Sequence, residues 1–112
     1  MQIYHNPRCE KSRAGLAYLE KSGYSYEVVK YLEKGLTVEE LKGIVAKTHK
    51  NPFELIRAQE KIFKENFRGR SFSDEEWLKI IAENPKLLQC PVVINGDKAV
   101  LAQPPEEVDK II

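Results

Sequence analysis

Cysteine is scarce in this chain of 112 residues, which holds only Cys9 and Cys90. Two cysteines cannot build a disulfide framework. The two histidines, His5 and His49, stand too far apart to supply zinc-ligand spacing, so no metal site is expected. Charge of neither sign dominates: the formal net charge is +1, which removes the electrostatic case for a nucleic-acid or membrane-surface partner. No run approaches the roughly 20 apolar residues of a membrane span. No charged-then-apolar leader opens the chain, because Met1-Gln2-Ile3-Tyr4 leads straight into a strand. The few cysteines and the missing leader predict a cytoplasmic protein, and a monomer is expected. In that reducing setting a disulfide is more often transient and catalytic than structural. What remains is 42% hydrophobic and 31% charged, the balance of an ordinary globular domain with one modest core.

The pattern along the chain predicts an order of elements. Gln2 to His5 reads as a strand. Ser12 to Ser22 reads as a helix, with Leu16, Ala17 and Leu19 inward and Gly23 as its stop. Tyr26 to Leu32, rich in aromatic and β-branched residues, reads as a second strand. Strand, helix, strand in about 30 residues is a βαβ unit with a right-handed crossover. Helices are expected across the middle, at about 36–86. Thr37 to Glu40 is a capping box before Leu41, Ile44 and Val45. Asn51-Pro52 opens a second helix through Phe53, Leu55 and Ile56, which carries Arg57. Ser73 to Glu76 caps a third, closed by Asn84-Pro85. Lys61 to Arg70 gives no clear signal. Pro91 to Ile94 and Ala99 to Leu101 flank an Asn-Gly turn and read as a hairpin. Pro104-Pro105-Glu106-Glu107 opens a last helix with Val108, Ile111 and Ile112 inward. The expected architecture is a single α/β domain, 1–112, of βαβ–(helical insertion)–ββα order. That order is the thioredoxin-like arrangement with a mixed four-stranded sheet. It sets the end of the first strand beside the start of the hairpin, where Cys9 and Cys90-Pro91 fall.

Cys9 lies between a strand and a helix N-terminus. Free backbone N–H groups and the positive end of the helix dipole favour a thiolate there, and the thiolate is the reactive form. Arg8, Lys11 and Arg13 surround it in sequence, while Glu10 opposes the thiolate and is expected to point outward. His5, at the strand end, reads either as an imidazolium that helps ionise Cys9 or as a ring turned to solvent or backbone. Ser12 reads as a donor to the sulfur, as a helix cap, or as both. Arg57 taken alone reads as a surface arginine, and otherwise as a fork onto an oxyanion held at Cys9. Pro91 opens a strand, where its missing donor is tolerated, and the thioredoxin-like arrangement implies a cis bond before it. Cys90 reads as a small buried filler or as a resolving cysteine that closes a disulfide with Cys9.

Ile3-Tyr4-His5-Asn6-Pro7-Arg8-Cys9 with Ser12-Arg13 resembles the active-site loop of the glutaredoxin-linked arsenate reductase (ArsC) family. The resemblance continues through Tyr31-Leu32, Pro52 to Arg57, Phe72 to Glu75, Pro91 to Val93 and Pro104 to Glu106. It implies a thiol oxidoreductase in which Cys9 attacks arsenate and His5 assists. No cofactor is implied; glutathione and glutaredoxin would serve as external reductant. Of three oxyanion-binding arginines in the family, the first matches Arg57. The others are replaced by Cys90 and Gln103. Each charge-assisted contact is worth about 1.5–3 kcal/mol. Losing two predicts roughly a hundredfold or greater loss of productive arsenate binding, unless Arg8 or Lys11 compensates. A thiol or disulfide such as a glutathione adduct is the other substrate class. The competing reading is a non-enzymatic, redox-responsive regulator that binds a partner such as RNA polymerase. Related proteins of this fold sense redox state through a Cys-x-x-Cys pair, but here Ser12 holds the second position.

Overall fold

The computed structural model describes residues 1–112. Its elements are β1 (Gln2–Tyr4), α1 (Glu10–Ser22), β2 (Glu27–Val29), α2 (Tyr31–Lys34), α3 (Val38–Thr48), α4 (Lys61–Asn66), α5 (Asp74–Glu83), β3 (Val92–Asn95) and β4 (Lys98–Leu101). Short 3₁₀ turns occupy Pro52–Leu55 and Pro85–Leu87, and another, Pro105–Ile111, closes the fold. The sheet order is β2-β1-β3-β4. β1 runs parallel to β2 and antiparallel to β3, so the sheet is mixed, as expected for a thioredoxin-like fold.

Strand alternation divides the core into two layers. Successive side chains on a strand point to opposite faces. Tyr4, Val92 and Ile94 face α3, α5 and the other insert elements, where Leu41, Ile44, Trp77 and Ile81 are buried. Ile3 and Val93 face the opposite way, onto Leu19 of α1 and onto Val108 and Ile111. The capping boxes at Thr37 and Ser73 form as the sequence predicts. In the hairpin, Gly96 supplies the turn's positive φ of 65° between Asn95 and Asp97.

Several boundaries differ from the expectation. β2 stops at Val29 because β1, its partner, ends at Tyr4. The chain then makes a helical turn from Tyr31 to Lys34 instead of continuing as strand to Leu32. Asn51-Pro52 does open a capped helix, but one of only four residues. Ile56 then bridges to Leu88, so Arg57 lies in an irregular segment and not on a helix. Ala17 is exposed; the buried face of α1 is Ser12, Gly15 and Leu19. Ile112 is also exposed rather than inward.

Candidate active site

Helix α1 begins at Glu10, which makes Cys9 itself the N-cap residue. The first-turn N–H groups lack intrahelical partners and open toward that end of the helix. The preceding loop is wired by one buried residue, Asn6. Its side-chain oxygen accepts from the Arg8 N–H at 2.9 Å, and its carbonyl accepts from the Cys9 N–H at 3.0 Å. Its own N–H donates to Ser12 Oγ at 2.9 Å. Asn6 carried no functional signal in the sequence reading, although asparagine before proline is a turn-forming combination.

Ser12 also meets His5, with Nδ1 to Oγ at 2.7 Å. Ser12 therefore neither caps the helix nor spends its hydrogen bonds on the sulfur. Burial lowers the His5 pKa, a shift reinforced by the Arg13 charge and opposed by the Ser12 hydrogen bond. Burial thus favours the neutral ring, bonded through Nδ1 to the same Ser12 oxygen that accepts from Asn6. Of the two readings of His5, the lowered pKa disfavours the imidazolium, because the ring is partly removed from water.

The flanking cations divide. Arg13 donates from Nη1 to the Pro7 carbonyl at 2.8 Å, which ties the first turn of α1 to the loop. Lys11 is exposed. Arg8 is exposed too, and it lines an open groove of about 1300 Å³ that runs from His5 to Arg57 and Lys61. Arg57 is not the surface arginine that its sequence context favoured. Its side chain is only 20% exposed and pairs with Glu60 at 3.2 Å. Its backbone N–H donates to the Leu87 carbonyl at 2.7 Å, which anchors it to the end of the 3₁₀ turn that precedes Cys90.

Cys9 and Cys90 are both buried and both free thiols. The Cys90–Pro91 peptide is cis, and a second cis peptide, not anticipated, joins Gln103 to Pro104. The Cys90 carbonyl accepts two donors, the Cys9 Sγ at 3.8 Å and the Gln103 side-chain amide at 2.7 Å. Gln103 thus spends its amide on the backbone beside the thiols. Burial pushes the Cys90 thiol well above its usual range, and the bond and charge of Cys9 push it further. Tyr31 and Arg57 pull it back. Tyr31 lies within the expected second strand and carries no local signal for the site, yet it is among the groups that act on the Cys90 thiol.

Gly15 permits the close approach. A Cβ at this position would lie 2.6 Å from Pro91 Cγ, so only glycine lets α1 settle on the proline that follows Cys90.

The ArsC family model matches residues 4–111. The chain belongs to the ArsC family. It is 39% identical to an arsenate reductase of Haemophilus influenzae, over 98% of this chain and 97% of that protein. An arsenate reductase of Neisseria meningitidis serogroup A is 35% identical over the whole of this chain and 97% of its own length. The solved arsenate reductase of Vibrio cholerae superposes with a TM-score of 0.92 at 40% identity, covering 100% of this chain and 98% of that one. This ArsC-family chain is an arsenate reductase-like, thiol-dependent oxidoreductase, and the regulator reading is not favoured. No helix is long and apolar enough to cross a membrane.

Proposed function

We propose that Cys9 is the nucleophile of a two-thiol reductase whose substrate is a tetrahedral oxyanion of the arsenate type. The observation that carries this reading is the placement of Cys9 as the N-cap of α1, at the end of the helix where the free N–H groups favour a thiolate. The Cys9 thiolate displaces an oxygen from the As(V) centre and forms a sulfur–arsenic bond. A glutathione-class thiol then attacks Cys9 Sγ, and arsenite leaves with the sulfur–arsenic electron pair. Arsenic is reduced by two electrons, and a Cys9–glutathione disulfide remains. Glutaredoxin-class thiols return Cys9 to the reduced state, either directly or after Cys90 has resolved the adduct.

His5 acts through Ser12, which holds Asn6 and so the shape of the Cys9 loop. Arg57, with Arg8 at the other side of the groove, supplies positive charge for the anion; Lys11 adds charge from farther out, and Arg13 shapes the loop. Pro91 packs against α1 at Gly15. Cys90 and Gln103 stand where two arginines would fork onto the anion, and Gln103 is already engaged by the Cys90 carbonyl. Arsenate turnover is therefore slow in the native chain.

The test is arsenate-dependent oxidation of glutathione with glutaredoxin present, in wild type and in Cys90→Arg/Gln103→Arg. Turnover that requires Cys9 and rises at least tenfold in the double variant supports the reading. Turnover that survives Cys9→Ser overturns it.

A further inference from the structure

Tyr31 is fully buried, and its hydroxyl is the one buried side-chain polar atom of the chain without a hydrogen-bond partner. Buried polar groups are ordinarily satisfied, so an orphan asks for an explanation. The surroundings of this one are specific. The groups that act on it electrostatically are Cys90, Cys9 and Arg57, and its hydroxyl stops short of a formed hydrogen bond to any of them. Its ring is held in the core, 6.2 Å centroid to centroid from that of Tyr4. A phenol can donate one hydrogen bond, and the neighbour that gains most from a donor is a sulfur that has lost its proton.

We propose that the Tyr31 hydroxyl is the donor that receives the Cys90 sulfur as a thiolate, and that this thiolate closes a Cys9–Cys90 disulfide once Cys9 carries a small thiol. The proposal rests on the reading of Cys9 as the nucleophile. Three groups reach Cys90 from the elements around it: Cys9 at the N-terminus of α1, Tyr31 at the start of α2, and Arg57, paired with Glu60, from the segment after the first 3₁₀ turn. While Cys9 is reduced, burial and then the neighbouring Cys9 sulfur hold Cys90 protonated. An adduct on Cys9 removes the second of these. Tyr31 and Arg57 then act on Cys90 unopposed by Cys9. Cys90 gives its proton to solvent and attacks Cys9 Sγ. The bond from Cys9 to the small thiol breaks, and that thiol departs with the electron pair and takes a proton from water. No external oxidant is consumed, because the step is thiol–disulfide exchange. The order of events is thereby built in: Cys90 stays silent until Cys9 has reacted.

Ellman's reagent tests this on the intact protein. Cys9 releases one nitrothiobenzoate when it is modified, and attack by Cys90 on that adduct releases a second. Two kinetic phases are expected in wild type, with mass spectrometry showing an internal disulfide and no retained label. Tyr31→Phe should slow the second phase about tenfold at pH 7 and move its pH midpoint upward. Circular dichroism and a cooperative unfolding transition establish that the variant is folded. A second phase with unchanged rate and midpoint in Tyr31→Phe overturns the role of Tyr31 alone. A wild type that retains one label on Cys9 and never releases the second overturns the disulfide. A first phase that survives in Cys9→Ser overturns the assignment of Cys9 itself.

Discussion

Gly15 and Pro91 are in such close apposition that a methyl group on Gly15 would come within 2.6 Å of the proline ring. This contact joins α1, whose N-cap is Cys9, to the segment that carries Cys90. Gly15→Ala should therefore destabilise the fold by about 1–3 kcal/mol through overpacking. That is opposite in sign to the gain of about 1 kcal/mol that alanine brings to an ordinary helix interior. Urea unfolding measures the difference; a variant as stable as wild type would show that α1 and Pro91 are not locked together.

Ser12→Ala leaves the Asn6 N–H without its acceptor in a buried loop and removes the partner of His5 Nδ1. The expected cost is about 1–3 kcal/mol of stability, the penalty of an unsatisfied buried donor. Labelling of Cys9 should slow by about tenfold, since the loop loses its internal brace. Unchanged labelling would separate the Ser12 bonds from the chemistry.

His5 sets a pH dependence. Burial keeps its folded-state pKa below the unfolded value of about 6.5. As pH falls through about 6.5 the unfolded chain takes up a proton that the folded chain still refuses, so stability falls over that window and recovers as pH rises through it. Urea unfolding from pH 7.5 to 5 should show this slope, and His5→Gln should flatten it. An NMR titration that places the His5 midpoint above 6.5 would reverse the sign.

Much of this arrangement was legible in the residues because it rests on local signals. Cys9 lies at a strand-to-helix junction, Cys90-Pro91 at a strand start, and the capping boxes at Thr37 and Ser73 announce their helices. Arg57 was misplaced for a physical reason. An N-cap and a proline mark where a helix starts but not how far it runs. Here the run is cut at Leu55 by the distant pairing of Ile56 with Leu88. Tyr31 was misread for a related reason: its aromatic, β-branched context suits a strand, but β2 has no partner left to pair with beyond Val29. The hydrogen bond from Gln103 to the Cys90 carbonyl is a contact across 13 positions that no local pattern encodes.

Tyr31→Phe has a second consequence, on stability. Removing an orphaned buried hydroxyl while keeping the ring should stabilise the fold by about 1 kcal/mol. Stability and Cys90 reactivity would then move in opposite directions in one variant. A loss of stability, read by urea unfolding, would mean that the hydroxyl is satisfied in solution.

The central claim is that Cys9 is the reactive thiol and Cys90 the silent one. Competitive alkylation with limiting iodoacetamide at pH 7, followed by peptide mass spectrometry, compares them directly. The arrangement predicts that Cys9 is labelled more than tenfold faster than Cys90; equal labelling, or faster labelling of Cys90, would contradict it.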